Sequence, residues 1–118
     1  MNQTFDDIEQ CPVWDKSSAT KRLMGDEALL SMLIDKFNKL TTTLLPELET
    51  ALIDGSLREI EMSSHKLKGG ASAIGAVRVA IIAEEIEGLA KNNAHISNHD
   101  LMTGLTAEVN LFFSAVKS

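Results

Sequence analysis

The sequence is poor in residues that build strands and covalent cross-links. It has no tyrosine, one tryptophan, four phenylalanines and two prolines among 118 residues. Leucine, alanine, glutamate, lysine and methionine, which favour helices, fill the periodic segments instead. The single cysteine, Cys11, excludes an internal disulfide and fits a thiol in a reducing compartment. The composition therefore predicts an all-α protein without a disulfide framework.

Positive charge and long apolar runs are also scarce. The net charge is −6, whereas binding to nucleic acid or to an anionic membrane surface needs a basic surface. No run approaches the length of about 18 apolar residues that a transmembrane helix needs. The opening "MNQTFDDIEQ" lacks the basic start and apolar stretch of a signal peptide. We therefore expect a cytoplasmic domain that contacts neither nucleic acid nor membrane.

Capping and turn residues divide the chain into a lead-in and five helices. Residues 1–13 are interpreted as a lead-in or linker, and residues 14–118 as one domain. Asp15 is the expected N-cap of a short helix closed by Gly25, with Trp14 beside it as a lid on the core. Four longer helices follow, and their short connections favour antiparallel neighbours. The predicted fold is an antiparallel up-down four-helix bundle with a short additional N-terminal helix.

Apolar residues at alternating spacings of three and four predict the buried stripe of each long helix. Asp26 should cap the second helix, and Pro46 should bend it near Thr42 because proline removes a backbone donor. Ser56 and Glu59 have capping-box spacing at the start of the third helix. The predicted stripes are Leu30, Leu33, Phe37, Leu40, Leu44, Leu48 and Leu52; Leu57, Ile60, Ser64, Leu67, Ala71 and Ile74; Val79, Ile82, Ile86 and Leu89; and Met102, Leu105, Val109, Phe112 and Val116.

The stretch "SSHKLKGGASAIG", residues 63–75, surrounds a histidine with poor helix formers in the third helix. At about 100° per residue, His65 falls on the side opposite the buried stripe, so we expect it to face solvent. Lys68 and Gly69 lie about one turn further on and flank the imidazole. Within a helix each glycine costs about 0.5–1 kcal/mol relative to alanine, and here two stand in succession. This cost beside one histidine favours a functional site.

These residue types suit a site that takes up a phosphoryl group from a docking partner. An imidazole is a nitrogen nucleophile near neutral pH, and a lysine is a compact positive charge that can hold a phosphate oxygen. Gly69 has no side chain, so the backbone of another molecule can come close. For Gly70 a second interpretation stays open, in which it serves only close packing between helices.

The stretch "SHKLKGGASAIGAVRVAIIAEEIE" resembles the signature of histidine-containing phosphotransfer (HPt) domains, and "WDKSSATKRLMGDEALLSMLIDKF" resembles their opening helices. The resemblance implies that His65 accepts a phosphoryl group from a receiver-domain aspartate and passes it to another receiver in bacterial two-component signalling. It implies that Lys68 neutralises the phosphoryl oxygens and that Gly69 leaves room for the partner. Glu87 stands where the family often has a Gln or Glu that supports the imidazole, and Lys91 is expected to border the site.

The resemblance also implies how the work is divided between this domain and its partners. The sequence has no G-x-x-x-x-G-K nucleotide loop, so we expect a phosphohistidine carrier without a cofactor or metal of its own rather than an enzyme. The Mg²⁺ would come with the response-regulator receiver domain. That receiver is expected to dock on small and apolar positions of the third helix: Met62, Gly69, Ser72 and Ala73. A monomer is expected, either free-standing or part of a hybrid sensor histidine kinase.

Two other interpretations of the sequence compete with the carrier. A metal-binding bundle needs Glu-x-x-His pairs that point inward; His95 and His99 fall in or beside the polar loop "KNNAHISN", before the last helix that Ser97 is expected to cap, and His65 with Glu61 faces outward. A non-catalytic helical interaction module fits the leucine-rich stripes equally well. Such a module has no reason to keep a histidine, a lysine and a glycine together on its surface.

Overall fold

The computed structural model describes residues 8–93 and 98–118, and five helices account for most of them. After a 3₁₀ turn at Ile8–Gln10 the helices are α1 (Lys16–Arg22), α2 (Glu27–Asp54), α3 (Leu57–Ile74), α4 (Val77–Lys91) and α5 (Asn98–Lys117). The described ranges contain no strand, and the predicted all-α class is confirmed. Within the same ranges, no helix has the length and apolar character needed to cross a bilayer.

The four long helices enclose one hydrophobic core. Each packs against the next in chain order, and α5 returns to contact α2. Only residues 55–56 separate α2 from α3, and only residues 75–76 separate α3 from α4. Both links contain a glycine in the left-handed region, Gly55 with φ 70° and Gly75 with φ 78°, where a side chain would be strained. The antiparallel direction of successive helices follows from these short links as an inference.

The second and third helices start where the sequence predicts, but one of the predicted capping contacts is absent. The side chain of Asp26 accepts a hydrogen bond from the Leu29 backbone N–H at 3.0 Å, as an N-cap should. Ser56 precedes α3 as predicted, but its side chain makes no capping hydrogen bond, so the predicted capping box is wrong. The backbone carbonyl of Ser56 accepts from the Ile60 N–H, so the first turn forms without the hydroxyl. Helix α2 continues through Pro46, and the bend stays a prediction.

Residues 8–13, which the sequence assigned to the lead-in, lie against the bundle. Ile8 is only 6% exposed and belongs to the core. Arg78 of α4 donates from Nε to the Cys11 carbonyl at 2.8 Å and from Nη2 to the Glu9 carbonyl at 3.2 Å. Apolar packing by Ile8 and Val13 and the hydrogen bonds from Arg78 therefore hold this segment against the bundle.

The segment around α1 satisfies carbonyls at the C-terminal end of α3. Arg22 donates from Nη2 to the Ser72 carbonyl at 2.7 Å, and Trp14 donates from Nε1 to the Ile74 carbonyl at 2.9 Å. The last carbonyls of a helix have no partner within the helix, so these bonds stabilise that end. Trp14 also packs edge-on against Phe112, at 5.9 Å between ring centroids. The helix that carries His65 is thus fixed by contacts from a separate part of the chain.

Candidate functional site

Helix α3 divides into a buried side and an open side. Ser64, Leu67 and Ala71 are fully buried, and Ser64 satisfies its hydroxyl by donating to the Ile60 carbonyl at 2.6 Å. The neighbouring residue, His65, points the other way, with 67% of its side chain exposed. The burial of one stripe therefore fixes which way the histidine projects.

The ring of His65 is anchored by a carboxylate from the next helix. Its Nδ1 lies 2.8 Å from Oε2 of Glu87 on α4, and the Glu87 side chain is only 5% exposed. Against an ionised carboxylate, which can only accept, Nδ1 must carry the hydrogen and donate it. The outer nitrogen, Nε2, then has a free lone pair.

Two lysines share the same carboxylate. Nζ of Lys68 lies 2.8 Å from Oε1 of Glu87, and Nζ of Lys91 lies 3.5 Å from Oε2. The hydrogen bond from Lys68 is the main cause that holds the pKa of Glu87 at about 2, against burial, with His65 also lowering it. The same bond raises the pKa of Lys68. Glu87 is therefore an anion at every physiological pH.

The two adjacent glycines have different surroundings. A Cβ placed on Gly69 would meet no described atom within 4 Å, so the surface beside His65 is open. A Cβ placed on Gly70 would lie 3.0 Å from Cδ1 of Phe37 and 3.2 Å from Cδ2 of Leu40. Gly70 therefore allows α2 and α3 to approach closely, which is the packing interpretation that the sequence left open.

The residues expected to dock a partner lie on the exposed part of α3. Met62 is 49% exposed, and Gly69, Ser72 and Ala73 are exposed as well. A groove between α2 and α3 adjoins this surface, and the α2 side of it includes Pro46 and Thr50. Exposed positions of the second helix were expected to join the docking surface, but the sequence did not name Pro46 or Thr50, because periodicity within a helix does not show which of its positions lie beside its neighbour.

Some residues raised by the sequence are not part of this cluster. His95 and Ser97 lie outside the described residues, as does the side chain of His99. In the parts of the chain that are described, no group of three or more histidine, cysteine, aspartate or glutamate residues could hold a metal ion. The site consists of His65, Lys68, Glu87 and Lys91.

The fold and the site together define the class of this protein. It is a helical bundle that presents one anchored histidine to solvent, beside a lysine and a glycine with open space around it. A family model described as "Hpt domain" matches residues 29–115, and the chain therefore belongs to the Hpt domain family. Members of this family transfer phosphoryl groups through histidine in phosphorelays, interact with response-regulator receiver domains and are carriers rather than kinases. No curated protein and no solved structure matches the chain.

Proposed function

We propose that this domain carries a phosphoryl group on Nε2 of His65, accepting it from one receiver-domain aspartate and passing it to another. The observation that carries the proposal is the ring itself, which is largely exposed while its Nδ1 is held 2.8 Å from a buried carboxylate. A histidine that only solvates a surface needs no such anchor. Family membership supports the same chemistry.

The transfer consists of one bond exchange. The bond between the aspartyl oxygen and phosphorus breaks while a bond between Nε2 and phosphorus forms, and the receiver carboxylate leaves as the anion. Because Nδ1 keeps its hydrogen, the ring gains positive charge as Nε2 gives up its lone pair. The Glu87 carboxylate at 2.8 Å stabilises that charge. The reverse exchange returns the group to a second receiver.

Lys68 is the proposed counter-charge for the phosphoryl oxygens. It lies three residues after His65 on the same side of α3, and its side chain is 29% exposed. Phosphoryl transfer depends mainly on alignment and on neutralising the charge of the equatorial oxygens. An ammonium group on the same side of α3 as the ring would provide this neutralisation without a metal from this chain. The Mg²⁺ of the reaction is assigned to the receiver partner.

The partner surface is proposed to include the exposed positions of α3 and the adjoining groove of α2. Gly69 lets the receiver backbone come close to the ring, and Met62 supplies exposed apolar area. We also propose that the domain acts as a monomer in the cytoplasm. One exposed histidine per chain is sufficient for the relay.

The test is phosphotransfer from a panel of phosphorylated receiver domains. We expect the wild-type chain to acquire an acid-labile, base-stable label and His65→Gln to acquire none. His95→Gln and His99→Gln remove the other two histidines and serve as matched controls that keep the label. A label that survives His65→Gln, or a wild-type chain that no receiver labels, would disprove the proposal and leave a non-catalytic interaction module.

A further inference from the structure

The charge of Glu87 needs a partner in every state of the site. Its side chain is 5% exposed, and a buried carboxylate that loses its partners is strongly destabilising. In the unphosphorylated domain both oxygens are bound: Oε1 by Lys68 at 2.8 Å, and Oε2 by Nδ1 of His65 at 2.8 Å. Glu87 is therefore well compensated before any phosphoryl group arrives.

A phosphoryl group on His65 competes for one of those partners. It brings roughly two negative charges and three strong acceptor oxygens to the outer side of the ring. Lys68 lies three residues after His65 and binds the same carboxylate as the ring, and the proposed function assigns it to those oxygens. Among the described residues, Lys68 is the ion-pair partner of Oε1, whereas His65 and Lys91 approach Oε2. The turn of Lys68 towards the phosphoryl group therefore leaves Oε1 without a donor.

Lys91 has the geometry to replace it. It stands four residues after Glu87 on α4, one helical turn along the same face. Its Nζ lies 3.5 Å from Oε2, too far for a strong hydrogen bond, and its side chain is 55% exposed and free to adjust. The two oxygens belong to one carboxylate, so Oε1 lies near a lysine that already approaches Oε2.

We propose that Lys91 is a positioning residue that takes over the ion pair with Glu87 when Lys68 turns to the phosphoryl group. It keeps the carboxylate, and through it the ring, in place while the group is carried. This inference rests on the proposed function and concerns the phosphorylated domain. In the unphosphorylated domain Lys91 is a redundant third partner.

The test compares Lys91→Met with wild type at equilibrium with the receiver domain that labels wild type most strongly. We expect the equilibrium constant for transfer onto His65 to fall roughly fivefold, the size of one partly exposed ion pair, and Lys91→Arg to restore it. Unphosphorylated Lys91→Met should have the same melting temperature as wild type, because Lys68 and His65 still bind Glu87. Lys117→Met, which removes another exposed lysine, should leave the equilibrium constant unchanged.

The decisive comparison repeats Lys91→Met in a Glu87→Gln background. A neutral amide needs no counter-ion, so in this background Lys91→Met should not change the equilibrium constant for transfer. A double-mutant cycle measures this coupling directly. An effect that persists there would place Lys91 on the phosphoryl group or the receiver, and would overturn the inference. Unchanged transfer in Lys91→Met, or a lower melting temperature of its unphosphorylated form, would also overturn it. In each of these results the label on His65 leaves the proposed function standing, whereas an unlabelled wild type overturns both.

Discussion

On the inward face of α3, Ser64, Leu67 and Ala71 are fully buried, whereas on the outward face His65 exposes 67% of its side chain. The inward face contains no ionisable group. The outward face lies over Glu87, a buried anion with three partners. One helix thus carries the packing of the bundle on one side and the charge of the site on the other. Substitutions on the two faces should therefore change different measured quantities.

The largest expected effect separates the faces by stability. Leu67 is fully buried, so Leu67→Ala should lower the free energy of unfolding by about 2–5 kcal/mol, the range for deleting a core leucine. Met62→Ala on the exposed face should change it by less than about 0.5 kcal/mol, yet should slow transfer because it removes apolar area from the proposed receiver surface. Urea unfolding and phosphotransfer on both variants measure the contrast. Equal losses of stability would show that Met62 belongs to the packing of the fold.

The next effect distinguishes the two faces of α3 by how the free energy of unfolding depends on pH. The pKa of Glu87 lies at about 2 in the fold, against an ordinary value of 4.5. A depressed carboxyl pKa contributes stability that is complete above pH 4.5 and is lost as the pH falls towards 2. At 1.36 kcal/mol for each pKa unit, the loss is roughly 3 kcal/mol.

Urea unfolding between pH 2 and pH 7 measures this contribution, within the acid range that the two pKa values define. Glu87→Gln should show a flatter dependence than wild type below pH 4.5, since it has no charge to lose. Leu67→Ala should keep the wild-type slope while lying below it at every pH. Parallel profiles for wild type and Glu87→Gln would mean that the ion pairs around Glu87 contribute nothing to folding.

A smaller effect concerns space at the outward face. Gly69→Gln should slow phosphotransfer about tenfold, which corresponds to about 1.4 kcal/mol in the barrier, because its side chain would fill the surface proposed for the receiver backbone. The fold should tolerate it, since a Cβ there meets nothing within 4 Å. Thr106→Gln, at an exposed position of α5, is the control for adding a glutamine. Transfer at the wild-type rate in Gly69→Gln would remove the steric role of the glycine.

The sequence could predict the helices because their signals are local. The N-cap aspartates, the glycines after α2 and α3 and the apolar spacing all act within a turn or two of the residues that carry them. The membership of the buried stripe on α2 was predicted less accurately. Leu33 and Leu40 are only half-buried, while Ile34 and Thr41 are buried. A buried stripe follows 3.6 residues per turn, so over a 28-residue helix it includes positions beside the strict leucine repeat.

The long-range contacts of the site were harder to predict. The resemblance placed Glu87 beside His65, but no local pattern indicated that Lys68 binds the same carboxylate in the unphosphorylated domain. The anchoring of residues 8–13 by Arg78 was missed for a similar reason. Both depend on contacts between separate elements of the fold. Such contacts are set by how these elements pack against one another, and the periodicity along one helix carries no information about that packing.

The smallest expected effect tests the two faces with the same substitution at adjacent residues. Gly69→Ala should raise the free energy of unfolding by about 0.5–1 kcal/mol, the gain in helix propensity where space is open. Gly70→Ala makes the same gain, but its Cβ would lie 3.0 Å from the ring of Phe37, which packs against Phe112 and Phe113 and cannot easily move.

Overpacking of about 1–3 kcal/mol should therefore exceed the propensity gain and leave Gly70→Ala less stable than wild type by about 1 kcal/mol. Urea unfolding of the two variants side by side measures this difference, since the propensity term is common to both and cancels. If Gly70→Ala were as stable as Gly69→Ala, α2 and α3 would have room between them that the distances do not allow, and the packing reason for the second glycine would be wrong.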